Sequence, residues 1–312
     1  MEQKAKFVVR IAVLALVLLT LPVWSQDEEE KPGLTAPIVK IGTPAGKKEL
    51  AKVHVGLRFQ GGLGYLGCGD VNSGLAGLLD VWTYGLFPPG AIRTGEYKPV
   101  HAGFNGGADV LLYFQPRWGL ILGAEYLQSS RTSEVKFNIG SDNTYFTFAP
   151  RVSAIPLKLG LFADLPLGEK LNLFLQGGAG YYLGRFHYEL SFASVDNWRS
   201  IVADTEAKNI GCHGGAALEL KLSKKLFLFV EALGRYARLS GFSGTAIATS
   251  PDEPAITNRV IIYFAHVNMP EGRFHFLYPT STFPDDPSYS EVREAVVDFS
   301  GFSARAGLRI RF

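Results

Sequence analysis

Six histidines, two cysteines and one glycine-rich run are the residues whose types could do chemistry, and their spacing argues against most of it. Gly62-Leu63-Gly64-Tyr65-Leu66-Gly67 matches the G-x-G-x-x-G pattern that cradles a pyrophosphate, but that use needs an amphipathic helix and a βαβ unit to follow. The run instead closes an alternating segment with no such helix legible after it, so nucleotide binding is not expected. Cys212 and His213 are adjacent but lack further ligands at zinc-like spacing, so no metal is expected. Cys68 and Cys212 map near the same mouth of the fold developed below. A disulfide would need the first loop to fold across that opening, so they read as two independent residues. No His-x-Ser dyad follows His54, His101, His187, His213, His266 or His275. An acyl-transfer site would have to recruit His187 with Ser191, or His101 alone, from loops. Neither a catalytic activity nor a cofactor is expected.

Charge is abundant, and it recurs at alternate positions of apolar segments. Asp109, Glu125, Asp164, Glu219 and Glu231 are placed this way, as are Arg58, Lys158, Lys221, Arg235, Arg305 and Arg309. In β-strands they would share the polar face. An isolated buried charge costs several kcal/mol unless it is paired. If the strands close on a narrow interior, these groups should form an ion-paired plug. A gated or narrow polar pathway through the same residues is the alternative.

The elements that must hold them are eight segments of period-two alternation, at residues 53–66, 102–114, 118–128, 153–165, 171–183, 210–222, 226–239 and 302–312. Each suffices for a tilted strand to cross a bilayer, which takes about nine to eleven residues. In the last, Phe302, Ala304, Ala306, Leu308, Ile310 and Phe312 take one side, and Ser303, Arg305, Gly307, Arg309 and Arg311 the other. Three connections are tight turns, around Pro116, Gly168 and Lys224, and the others are several times longer. Short turns at one end and long loops at the other are an outer-membrane barrel's asymmetry. The chain's 35 glycines exceed the usual ~7% and often fall inside these segments, as close backbone packing in a small barrel would require.

Two long connections carry further signals. The first holds Leu75, Leu78, Leu79, Val81, Trp82, Tyr84, Leu86 and Phe87, and is expected to cap the mouth as an apolar loop, with a place at the membrane interface or the docking of a hydrophobic ligand as alternatives. In the last, residues 259–267 and 273–278 flank Met269-Pro270-Glu271-Gly272. They read as a hairpin above the membrane, although two more barrel strands, ten in all, are possible.

Lys4, Lys6 and Arg10 precede an uncharged stretch at residues 11–23, a signal-peptide pattern with cleavage expected after Ser25. Thirteen apolar residues fall short of the ~20 that a spanning helix needs. Residues 26–51, with Asp27-Glu28-Glu29-Glu30, read as a periplasmic arm, and residues 52–312 as the barrel. Removing residues 1–25 takes three bases from 31 and one acid from 29, leaving 28 of each. A neutral chain lacks the basic footprint of nucleic-acid binding.

The signal peptide, the eight alternating segments and the terminal Gly307-Leu308-Arg309-Ile310-Arg311-Phe312 together resemble the small outer-membrane β-barrel superfamily that includes OmpX-like, OmpA-barrel-like and OmpW-like proteins. The resemblance implies an all-β fold: an eight-stranded antiparallel up-and-down transmembrane barrel with long extracellular loops and both termini in the periplasm. It implies Gly307, Leu308, Ile310 and Phe312 as the signal read by the barrel-assembly machinery, with outer-membrane lipid and lipopolysaccharide as surroundings. Family roles span adhesion, envelope integrity, narrow channels and lipid A modification. The expectation here is a closed barrel acting through its external loops on an extracellular partner. A narrow channel for small solutes comes second and a lipid A enzyme third.

Overall fold

The computed structural model describes residues 54–88, 91–139, 142–194 and 197–312. The expected signal peptide and arm lie outside them. In chain order the elements are β1 (His54–Leu66), helix α1 (Gly69–Leu86), β2 (Ile92–Thr94), β3 (Ala102–Gln115), β4 (Trp118–Ser130), β5 (Ser133–Ile139), β6 (Asp142–Phe148), β7 (Arg151–Pro166), β8 (Leu171–Ala193) and β9 (Trp198–Lys221). Then come β10 (Leu226–Tyr236), β11 (Arg238–Leu239), β12 (Ser243–Thr249), β13 (Ile256–Met269), β14 (Gly272–Thr280), β15 (Tyr289–Glu294), β16 (Val297–Asp298) and β17 (Gly301–Arg311).

Eight of these strands close a ring. In order around it β1, β3, β4, β7, β8, β9, β10 and β17 each pair antiparallel with the next, and β17 returns to β1. Closure leaves this ring without an edge. The hairpin β13–β14 lies outside the ring, so the ten-stranded alternative does not hold among the described residues.

Inward glycines let so narrow a ring close. A Cβ on Gly62 would fall on the carbonyl oxygen of Ala304, and one on Gly123 on a carboxylate oxygen of Asp109. Outward glycines are under no such pressure; a Cβ on Gly61 would meet its nearest neighbour at an ordinary 3.7 Å.

Strands β8 and β9, of 23 and 24 residues, run far past the ring, and their polarity inverts on the way. On β8 the outward Leu171, Leu173, Leu175, Tyr181 and Leu183 give way to Arg185, His187 and Glu189, while the inward positions turn from Asn172 and Gln176 to Phe186, Tyr188 and Leu190. On β9 the outward series Leu220, Leu218, Ile210 is followed by Lys208, Glu206 and Asp204. Apolar-out, polar-in suits strands facing lipid; polar-out, apolar-in suits strands facing water.

Above the inversion the sheet reorganises. Its strand order is β14, β13, β12, β9, β8, β6, β5, β2, with β6 displacing β7 beside β8 and β12 displacing β10 beside β9. This upper storey wraps a second core that includes Phe137, Phe146, Phe148, Phe186, Phe242 and Phe299. The expected apolar loop is instead helix α1, whose Val71, Leu75, Leu78 and Leu79 are buried in that core. Each such side chain contributes roughly 1.5–3 kcal/mol. Helix α1 bridges the two free ends of the upper sheet. Its Gly77 lies against the His275 backbone of β14, and its Asp80 lies 3.2 Å from Arg93 of β2. Asn72 fixes it from within, accepting from the Val100 N–H at 2.7 Å and donating to the Val100 carbonyl at 3.1 Å.

The helix follows the glycine-rich run directly, contrary to the sequence reading. β1 nevertheless has antiparallel neighbours on both sides, so no βαβ unit forms.

The charged lumen as candidate functional site

The inward faces of seven ring strands bring ten charged side chains together: Arg58 from β1, Asp109 from β3, Glu125 from β4, Lys158 and Asp164 from β7, Glu219 from β9, Glu231 and Arg235 from β10, and Arg305 and Arg309 from β17. All are buried. They form one connected chain of contacts. Lys158 lies 2.9 Å from Asp109 and 3.4 Å from Glu125; Glu125 meets Arg235 at 3.5 Å and Arg305 at 2.7 Å. Arg305 continues to Glu231 at 2.5 Å, and Glu231 to Arg58 at 3.7 Å. Arg58 lies 4.0 Å from Glu219, which meets Arg309 at 2.6 Å, and Arg309 ends the chain on Asp164 at 2.9 Å. Five acids and five bases cancel. Lys221 does not join them: it follows the inward alternation but stands at the very end of β9, exposed.

The backbone register explains the pairing. Asp109 and Lys158 are separated by β4, where the intervening position in both registers is Gly123. The missing side chain there lets carboxylate and ammonium meet across a whole strand. Glu231 and Arg305 instead sit directly opposite each other on β10 and β17. Neutral groups extend the network: Gln60 donates to Asp109 at 2.8 Å, Gln176 to Glu231, Arg235 to Ser303 at 2.9 Å and Arg309 to the Tyr113 hydroxyl at 2.8 Å.

Below the network lies an aromatic floor that the sequence reading did not name. The Arg58 guanidinium is sandwiched between Phe174 at 4.3 Å and Phe229 at 4.1 Å, and Arg309 lies 4.3 Å over Phe227. Phe162 stacks on Phe174, and Leu111, Tyr113 and Ile121 complete the layer. Such a floor supplies cation–π attraction to desolvated guanidinium groups. Its residues occupy inward positions, so the signal that could have found them was strand phase, not residue type. Above the network, His213 and Asn105 point inward without hydrogen-bond partners among the described residues. Leu127 and Leu233 then lead into the upper core.

The other sequence candidates are scattered. His187 Nδ1 lies 3.0 Å from Asp204 on the outward face of the upper storey, but Ser191 is four residues further along the same strand, about 13 Å away. His101 stacks on Tyr65 at 4.7 Å and contacts the Leu66 carbonyl. Cys68 and Cys212 are both free, the first buried and the second exposed on the outer face. Burial pushes the Cys68 thiol up to about 12, helped by the charge of Asp298. Gly307 of the terminal strand leaves room for the Phe229 ring, Leu308 faces outward and exposed, Ile310 is half-buried, and Phe312 is exposed at the short-turn end.

No family model and no curated protein matches this chain. Among solved structures it is similar to the outer membrane protein OprG from Pseudomonas aeruginosa, with 11% sequence identity and a TM-score of 0.31, over 83% of this chain and 94% of that one. The barrel assignment rests on the closed strand pairing described above.

Proposed function

We propose that the protein is an integral outer-membrane β-barrel whose lumen is closed by the charge network and whose upper storey acts at the cell surface, in surface interaction or envelope integrity. The observation that carries this is the polarity inversion on β8 and β9. From Leu220 to Ile210 the outward apolar series covers about 33 Å along the strand, or roughly 25 Å when tilted by ~40°, the height of a barrel's apolar band. Tyr65, Phe104, Tyr126, Tyr181, Tyr236 and Phe302 face outward near the upper limit of that band, and Phe114, Trp118 and Phe312 near the short-turn limit. These are the aromatic girdles of the two interfaces. Short turns then face the periplasm, as do both termini, and the upper storey faces outward from the cell.

An eight-stranded barrel has an interior that side chains just fill, and here ion pairs and phenylalanines fill it. Single-channel recording on the refolded protein in planar bilayers tests the reading, after heat-dependent gel mobility has established a folded barrel. A silent barrel is expected. Stable discrete openings would replace this reading with that of a narrow solute channel.

A further inference from the structure

The short-turn end of the barrel is chemically lopsided. Lys170 closes the β7–β8 turn, Lys221 ends β9, Lys224 and Lys225 form the next turn, and Arg311 ends β17. Backbone bonds hold them as neighbours: Lys221 N–H donates to the Lys170 carbonyl at 2.7 Å, and Arg311 N–H to the Lys225 carbonyl at 2.8 Å. Four lysines therefore line the consecutive ends of β8, β9 and β10, with Glu169 the acid among these described residues, while the Arg311 guanidinium lies 4.4 Å over the Tyr113 ring. The four lysines are exposed, and no carboxylate of the described residues pairs with them. Immediately beside them the outer wall presents Leu167, Leu222 and Phe312, all more than half exposed. The β3–β4 turn, across the ring, offers Arg117 alone.

Ammonium groups with no carboxylate partner among the described residues, next to exposed leucines, fit an amphiphile with a negative head and an apolar tail. Resting on the membrane reading above, we infer that this rim is a binding site for the phosphate headgroup of an anionic glycerophospholipid in the inner leaflet. The lysines act as mobile point charges on the phosphate, and the adjoining leucines receive the acyl chains. Clusters of four or more bases at a membrane surface attract anionic lipid in this way. Among the described residues the bases are restricted to one side, which makes the site local, whereas uniform solvation of the barrel end would need no such asymmetry.

The test uses the full-length protein in mixed micelles holding equal amounts of phosphatidylglycerol and phosphatidylethanolamine, with retained lipid counted by native mass spectrometry. Preferential retention of phosphatidylglycerol is expected, falling roughly tenfold or more in the Lys221→Gln/Lys224→Gln/Lys225→Gln variant and unchanged in Arg117→Gln. Equal retention of both lipids, or an unaffected triple variant, overturns the inference. Displacement of the lipid by inorganic phosphate also overturns it, because the site would then be one for the free anion. Heat-dependent gel mobility shows that the triple variant is folded. A folded protein that fails to enter bilayers would instead remove the membrane reading itself, a result distinct from non-selective lipid retention.

Discussion

Arg305 touches Glu125 and Glu231 at once, and Glu231 also faces Arg58, so no acid in the middle of the network can be neutralised without stranding a cation. Breaking a buried pair from one side costs about 3–5 kcal/mol, whereas replacing both partners with apolar groups is often near neutral. Glu231→Gln should therefore lower the urea midpoint of barrel unfolding by that order, and the double variant Glu231→Gln/Arg305→Met should recover more than half of the loss. If the two losses simply add, the charges are independent and the network idea fails. Gly123→Ala should act on the same network without touching a charge, because its methyl group would occupy the space of the Asp109 carboxylate. We expect a smaller folded fraction on heat-dependent gels than for Gly61→Ala, where the outward methyl group meets nothing closer than 3.7 Å. The charged members of the site were legible in the sequence because a charge at every second position of an apolar strand must share a face away from the apolar side chains, and in a closed ring that face is the lumen. The aromatic floor was not named, since phenylalanine is at home on either face and its type carries no signal; only strand phase, the parity that Phe174 shares with Gln176 and Phe229 with Glu231, assigns it. Lys221 was misplaced because alternation gives a face but not a height, and at the end of a strand the inward face is already in water.

At the scale of elements, the ring strands were readable within about three residues, apart from the upper extensions of β8 and β9, and the upper storey was hardly readable at all. The expected limits at residues 183 and 210 fall where the alternation on β8 and β9 changes sign. A search for apolar-out strands stops where the outward side chains become Arg185 and Lys208, although the strands continue. Helix α1 was missed for a different reason. It opens with Cys68 in a left-handed conformation, without a side-chain cap, and carries glycines at 69, 74, 77 and 85, which depress helix propensity. Two of those glycines let it press against β14, so Gly77→Leu should detach it, exposing residues 71–79 to hydrogen exchange while the ring strands stay protected. The β13–β15 tip carries a pH response. His266 Nδ1 lies 3.2 Å from Glu291, whose other oxygen meets Arg273 at 2.8 Å. Partial desolvation, with Arg273 and His275 adding to it, depresses the His266 pKa. The hydrogen bond and charge of Arg273 depress that of Glu291. In both cases the unfolded tip binds more protons than the folded one, so stability is present at neutral pH and is lost as pH falls, first through the ordinary histidine range and then through the carboxylate range. Hydrogen-exchange protection factors at residues 263–269 and 289–294, each corrected for the intrinsic rate at that pH, should fall between about pH 7.5 and about pH 5, and less so in His266→Gln. A pH-independent protection factor at the tip would refute this.

The described residues form two stacked interiors built for different surroundings: a polar one inside an apolar wall, and an apolar one inside a polar wall. Strands β8 and β9 belong to both, so the two storeys share a backbone, but their packing is separable. The ring pairings of the eight barrel strands do not require β2, β5, β6 or β12 to β15, and every ion pair of the lumen lies among ring residues. That separation gives a way to ask which storey keeps the barrel shut. If the ion pairs and the aromatic floor are the closure, a protein with residues 67–101, 131–150, 186–205 and 240–299 replaced by short turns should still fold, keep its heat-dependent mobility and stay silent in planar bilayers. Were the upper core the real lid, the trimmed barrel would fold and conduct. We expect silence because the floor residues Phe162, Phe174 and Phe229 are fully or almost fully buried at the short-turn end, far from anything the trimming removes. Adding Phe174→Ala and Phe229→Ala to the trimmed barrel should then strip Arg58 of both flanking rings and be the change that first lets current through.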